Sequence, residues 1–106
     1  MIAAMATVAG PATGLAEISR MASESVESWL REYEGYRGLL VLTDEDAQTS
    51  RVITFWDTPE AEASARAGRG AMRDRIAATA GMEVVEFGVW EVPVYEVLAQ
   101  GADGPA

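Results

Sequence analysis

At 106 residues, with 49% hydrophobic residues and a mean hydropathy of +0.03, the chain holds one domain with material for one core and too little for a membrane protein. Its net charge is −9 and all eight basic residues are arginines, so the overall field repels phosphate backbones and no nucleic-acid partner is expected. Cys, His, Lys and Asn do not occur, which excludes disulfides, thiolate nucleophiles, imidazole bases, histidine or cysteine metal sites and Schiff bases. No metal and no cofactor is therefore expected. No apolar run reaches the ~18 residues of a membrane span. The apolar opening MIAAMATVAG lacks the basic segment that precedes a signal-peptide core. A cytoplasmic protein without membrane association is the expectation.

Ile2 to Ala9 is short, apolar and bounded by Gly10-Pro11, which predicts a first strand. From Thr13 to Tyr33, Leu15, Ile18, Ala22, Val26, Trp29 and Tyr33 recur at three- and four-residue steps, the period of an amphipathic helix, and Gly35 is placed to end it. Arg37–Thr43 and Arg51–Trp56 are apolar runs around the polar loop DEDAQTS and predict an antiparallel hairpin. Thr58-Pro59 opens a second helix, Thr58 as cap and Pro59 at the first helical position. Glu60 and Glu62 suit the positive end of its dipole, and the helix is expected to reach Thr79 before Gly81. Glu83 to Val92 predicts a last strand, broken by Pro93 and resumed over Val94–Leu98. The expected domain covers residues 1–99, and the tail 100–106 is expected to be disordered. The order β-α-β-β-α-β is that of an α+β, ferredoxin-like fold, an antiparallel sheet with two helices on one face.

These strands do not alternate apolar with polar. Leu39 to Leu42 are consecutive apolar residues, as are Val52-Ile53 and Phe55-Trp56. In the last strand, Val84 and Trp90 are expected on one face and Val85, Phe87 and Val89 on the other. Both sheet faces therefore want burial, yet the topology covers only one. A homodimer packed sheet to sheet is the expected remedy.

Several residues are candidates for a site. Trp29 could stack on a planar ligand or be core. The inward stripe of the second helix, read as Ala61, Ala65, Gly68, Met72 and Ile76, is mostly small. With its interior glycines Gly68 and Gly70 it implies a close approach to the sheet, a void roofed by Trp29 and Met72, or a break between two helices. Arg69 and Arg73 on the flank of that stripe could hold a carboxylate, phenolate or enolate, whereas Arg66 is read as solvated and paired with Glu62. Glu86, among apolar neighbours, is a candidate general base with a raised pKa, or equally marks the point where the sheet face meets water or pairs an arginine. Trp90 and Tyr95 could line the pocket mouth or the dimer seam, and the seam is the preferred reading.

Three segments resemble a known family. EGYRG (Glu34–Gly38) resembles the "PGFRG" corner of dimeric α/β-barrel proteins of the antibiotic-biosynthesis-monooxygenase type. ITFWDTPEAEAS (Ile53–Ser64) is similar to the family's strand end before its second helix, and PVYEVLA to its terminal strand, which often reaches across to the partner. The resemblance spans Ala6 to Ala99 and implies a dimeric barrel with one pocket per subunit between helices and sheet. Members include cofactor-free oxygenases of quinol-like aromatics, haem degraders, isomerases and cyclases. The haem degraders' histidine is missing here, which disfavours haem degradation, and so is the asparagine of the oxygenases' Asn–Trp pair. The oxygenases' tryptophan falls near Ala65, and Trp56 matches a structural strand-end position. The resemblance thus implies a cofactor-free monooxygenase, or related enzyme, of an apolar aromatic or polyketide-like molecule. The alternative is a non-catalytic dimer that binds a hydrophobic metabolite or serves as an accessory module.

Overall fold

The period-two runs and amphipathic stripes fold as β1 (Ile2–Ala9), α1 (Ala12–Met21), a π-helical turn (Ala22–Val26), α2 (Glu27–Leu30), β2 (Tyr36–Asp44), β3 (Thr49–Trp56), α3 (Pro59–Thr79) and β4 (Glu83–Glu91). The structure, a computed structural model, describes residues 1–97. The four strands form one antiparallel sheet in the order β2-β3-β1-β4, with both helical arms on one face. This is the expected α+β, ferredoxin-like fold. Among the described residues no helix is long and apolar enough to cross a membrane.

The central strands fix which residues meet the helices. Ile2, Ala4, Ala6 and Val8 on β1 stand beside Trp56, Thr54, Val52 and Ser50 on β3, and nearly all of them are buried. The core on this face falls into two clusters. Ile2, Ala4, Leu30, Trp56 and Ala65 pack at one end of the sheet, and Val8, Leu15, Ile18, Ala77 and Met82 at the other. Ala4 and Ala6, the smallest helix-facing side chains of β1, lie between the outer pair Ile2 and Val8, so the middle of the layer is thinly filled.

Local signals account for the element ends. Thr58 Oγ1 accepts from the Ala61 N–H at 3.1 Å, and Pro59 occupies the first turn of α3. Gly35 has φ +83°, and a Cβ there would stand 2.5 Å from the Ala61 Cβ. A glycine is needed both for that backbone and for the approach of its loop to α3. Gly68 and Gly70 do not break α3, which is continuous over 21 residues.

Three expectations need correction. The first helical arm ends at Leu30 rather than Tyr33, and its π-helical turn inserts extra length into one turn. Leu30 lies on the buried face, 1% exposed, beside Trp29, which stays on the helix–sheet side as its helical spacing implies. In β4 a register shift opposite Thr7/Val8 leaves Val85 unpaired. A β-bulge of this kind reverses the alternation beyond it, so Val84 shares the helix-facing side with Phe87 and Val89, and Trp90 lies opposite. Finally, Val94 to Val97 form no strand; past Pro93 they run exposed, with the Tyr95 ring on Phe55 at a 5.3 Å centroid distance. Leu98, and the expected disorder of residues 100–106, lie outside the described residues.

Candidate functional site: an apolar cavity under two arginines

The thin middle of the helix–sheet layer is a cavity of about 80 Å³, several times the roughly 10–15 Å³ that one water needs. Its floor is Ala4, Ala6 and Val8 of β1 with Val52 and Thr54 of β3. Ala22 and Val26 from the π-helical turn and Trp29 form one wall. The opposite wall is α3, through Arg69, Met72, Arg73 and Ile76, and Phe87 closes the side nearest β4. The void has an identifiable cause: two alanines on the central strand and short or flexible side chains above them.

The structure brings together four of the residues singled out from sequence, Trp29, Arg69, Met72 and Arg73. The inward face of α3 differs from the expected stripe. Gly68 is exposed, while Glu62, Ala65, Arg69, Met72, Arg73 and Ile76 turn inward. A Cβ at position 68 would meet the Tyr33 hydroxyl at 2.4 Å, so a larger residue there would push that side-chain end aside. No side chain crowds position 70 in this way: there the nearest atom to an added Cβ is the tip of Arg73 at 3.6 Å.

Glu62 is the residue that sequence reasoning placed on the surface and the fold buries, at 1% exposure. Its carboxylate accepts from Arg66 Nε at 3.1 Å, from a second Arg66 nitrogen and from Arg69, while Arg69 also reaches the Glu62 carbonyl at 3.4 Å. The hydrogen bonds from Arg66 hold its carboxyl below the usual carboxylate range; burial opposes this, and Arg69 reinforces it. Position in the first turn of α3 adds the helix dipole. The only available hint was Glu62, Arg69 and Ile76 at seven-residue intervals, and charge at two of the three hides the stripe.

Held in this way, Arg69 lies with its Cζ 5.3 Å from the Trp56 ring centroid and 5.9 Å from that of Phe87. Arg73 sits 5.2 Å over Phe87, and its Nε meets Asp74 Oδ1 at 3.2 Å. Trp56 is fully buried and donates its indole N–H to Thr54 Oγ1 at 2.9 Å. Tyr33 and Tyr36 meet it edge-on at 6.2 and 5.7 Å, and Trp29 packs edge-on against Tyr33 at 5.0 Å. These aromatic contacts fix Trp56 as core, and Trp29 joins that cluster on one side while lining the cavity on the other.

Glu86 is not part of this arrangement. It pairs with Thr7 on β1, whose side chain faces away from the helices, so its carboxylate lies on the opposite side of the sheet. Trp90, Leu40, Leu42 and Tyr95 are exposed on that side as well. Thr7 Oγ1 is buried there with no hydrogen-bond partner among the described residues. Among the described residues, two arginines are the only charged groups lining the cavity, and no carboxylate does so. Among the described residues no group of three acidic side chains could hold a metal ion.

No protein-family model and no curated protein matches this sequence. Solved structures do match its shape. A protein from Deinococcus radiodurans assigned as an antibiotic biosynthesis monooxygenase superposes with a TM-score of 0.69 at 15% identity, over 93% of this chain and 99% of that one. The monooxygenase of the gene ActVA-Orf6 from Streptomyces coelicolor, in complex with nanaomycin D, gives 0.63 at 18% identity over 92% and 91%. SnoaB, a cofactor-independent oxygenase from Streptomyces nogalater, gives 0.59 at 18% over 89% and 94%. This chain shares the fold of these structures over nearly its whole length.

Proposed function

We propose that this chain is a monooxygenase of a small apolar, aromatic or polyketide-like molecule, working without metal or bound cofactor. The observation that carries the proposal is the apolar cavity between helices and sheet with the guanidinium groups of Arg69 and Arg73 on its wall. Such a space suits a planar ring, and the guanidiniums suit charge developing on a ring oxygen. The likeness in fold to a cofactor-independent oxygenase and to a monooxygenase holding nanaomycin D supports the same class. In such chemistry a ring CH₂ beside a carbonyl loses a proton to give an enolate, and the enolate gives an electron to O₂. The two radicals combine to a hydroperoxide, which loses water to leave C=O. The sum is CH₂ + O₂ → C=O + H₂O. Arg73 would stabilise the enolate oxygen, Trp29 and Met72 would hold the ring, and solvent base would take the proton.

A second reading has its own support. Among the described residues no carboxylate lines the cavity, which favours a protein that binds and shields a hydrophobic metabolite, or serves as an accessory module, without turning it over. Oxygen uptake with an electron-rich dihydroxynaphthalene, alongside quenching of tryptophan fluorescence, separates the two. Saturable quenching with oxygen consumption that drops at least tenfold in Arg73→Ala is the outcome expected of the enzyme. Quenching without uptake supports the binding protein. Ala6→Leu, which fills the floor of the cavity, is expected to abolish both signals; quenching that survives it would place the ligand elsewhere.

The proposal includes a homodimer. Leu40, Leu42, Trp90 and Tyr95 are exposed on the sheet face away from the helices, together with the half-buried Ile53 and Phe55. An apolar surface of that kind is normally covered, and a second copy related by two-fold symmetry offers a matching one. Sedimentation at micromolar concentration should give twice the chain mass of 11.3 kDa; a monomer there refutes the dimer.

A further inference from the structure

We infer that Glu62 sets the charge the cavity offers to a ligand: it cancels Arg69, leaves Arg73 as the net cation, and so makes the site selective for a planar apolar molecule bearing one negative charge. The inference rests on the proposed small-molecule site and specifies the charge of its occupant.

Four side chains decide the count. The Glu62 carboxylate is 1% exposed and Arg69, bound to it, 11%, so these two opposite charges form a buried pair that sums to zero at the cavity wall. Arg66 also binds Glu62, but its side chain is 53% exposed; water and salt screen it before its field reaches the cavity. Arg73 differs from both. It lines the cavity, is 29% exposed, and its carboxylate partner among the described residues is the adjacent Asp74, itself 66% exposed. A solvated pair of that kind is weak, and an incoming anion can take Asp74's place. Among the described residues no aspartate or glutamate lines the cavity to oppose it.

One unspent positive charge above an apolar floor discriminates among ligands in a definite way. A monoanion pairs with Arg73 and buries its ring. A neutral ring forgoes a charge-assisted hydrogen bond. A dianion must bury a second charge with no cation left to meet it. Glu62 thereby acts as a specificity-determining residue through Arg69, without itself lining the cavity.

The test measures binding of three probes of one shape to the full chain by tryptophan fluorescence: a neutral naphthol, a naphthoate and a naphthalene dicarboxylate. The wild type is expected to prefer the naphthoate over both others by on the order of tenfold. Glu62→Gln keeps the side chain's shape and frees Arg69. The dicarboxylate should then gain on the order of tenfold while naphthol stays put. Arg73→Gln removes the net cation and leaves the Glu62–Arg69 pair intact, so the preference for naphthoate over naphthol should vanish. A merely structural role for Glu62 would change all three affinities by one common factor, and that result sinks the inference. Should Glu62→Gln fail to fold, Arg73→Gln decides: a naphthoate preference retained without Arg73 refutes the charge count. Binding of all three probes without charge discrimination overturns this inference and spares the small-molecule site, whereas no binding of any probe to the wild type overturns both.

Discussion

The two faces of this sheet are built from the same strands and satisfied in different ways. The helix-facing side carries small residues at its centre, Ala4 and Ala6, with one large anchor, Trp56, and the chain's own helices bury it. The other side carries Leu40, Leu42, Phe55 and Trp90 and lacks any helix. Burial on the first face is intramolecular and cannot depend on concentration. Burial on the second, under the dimer proposed above, is a property of association. The cavity belongs to the first face, so its existence does not require the second to be covered.

Substitutions that hit one face only break the comparison most directly. Trp56→Ala removes the fully buried anchor of one core cluster together with its hydrogen bond to Thr54, and about 3–5 kcal/mol of stability should go with it. The loss should be the same in denaturant titrations at high and low protein concentration. Trp90→Asp puts a charge on the other face. It should halve the sedimenting mass while leaving the monomer's secondary structure intact, and its stability cost should shrink as the protein is diluted. If Trp56→Ala instead proves concentration-dependent, the two faces are not energetically separate.

Gly35 and Gly70 sharpen the same point within the helix-facing layer. Gly35→Ala must hold a left-handed backbone and push against Ala61, and a loss of about 1–3 kcal/mol is expected. Gly70, inside α3 with no close neighbour at its Cβ, should tolerate alanine and gain up to about 1 kcal/mol from helix propensity. Thermal melting of the two variants side by side reads the contrast.

Much of this layout was legible in the sequence. Periodicity placed every strand from Ile2 to Glu91 and both helical arms, because hydrophobic spacing is a local property that burial later exploits. What escaped were changes of phase. The π-helical turn inserts extra length into the first arm, and the bulge opposite Thr7/Val8 carries Val84 to the other side. Neither has a residue signature, since each answers packing between distant segments. The candidate site divided along the same line. Trp29 and Met72 were visible as stripe residues. Glu62 was not, because a charge at an inward position reads as a solvated one until Arg69 is seen turning with it. Glu86 sat between apolar neighbours, yet alternation past the bulge sends it to the face without the cavity.

The smallest expected effect concerns that buried carboxylate. Glu62 titrates below its ordinary range because Arg66, and secondarily Arg69, bind its charged form more than burial opposes it. A folded-state pKa below the unfolded one means that the unfolded chain takes up the proton first. The associated stability is therefore fully present above the unfolded glutamate pKa of about 4.3 and is lost as pH falls through the lower folded value. Unfolding free energy measured from pH 7 down to pH 3 should decline in the wild type, and the decline should be shallower in Glu62→Gln. The Glu17 carboxyl, lowered on the exposed side of α1 by its hydrogen bond to Arg20, contributes equally to both proteins and cancels in the difference. The sign of that difference is diagnostic of the face to which Glu62 belongs. A solvated Glu62–Arg66 pair would leave the two curves nearly parallel, whereas a carboxylate enclosed beside Arg69 must separate them as the acid limb is entered.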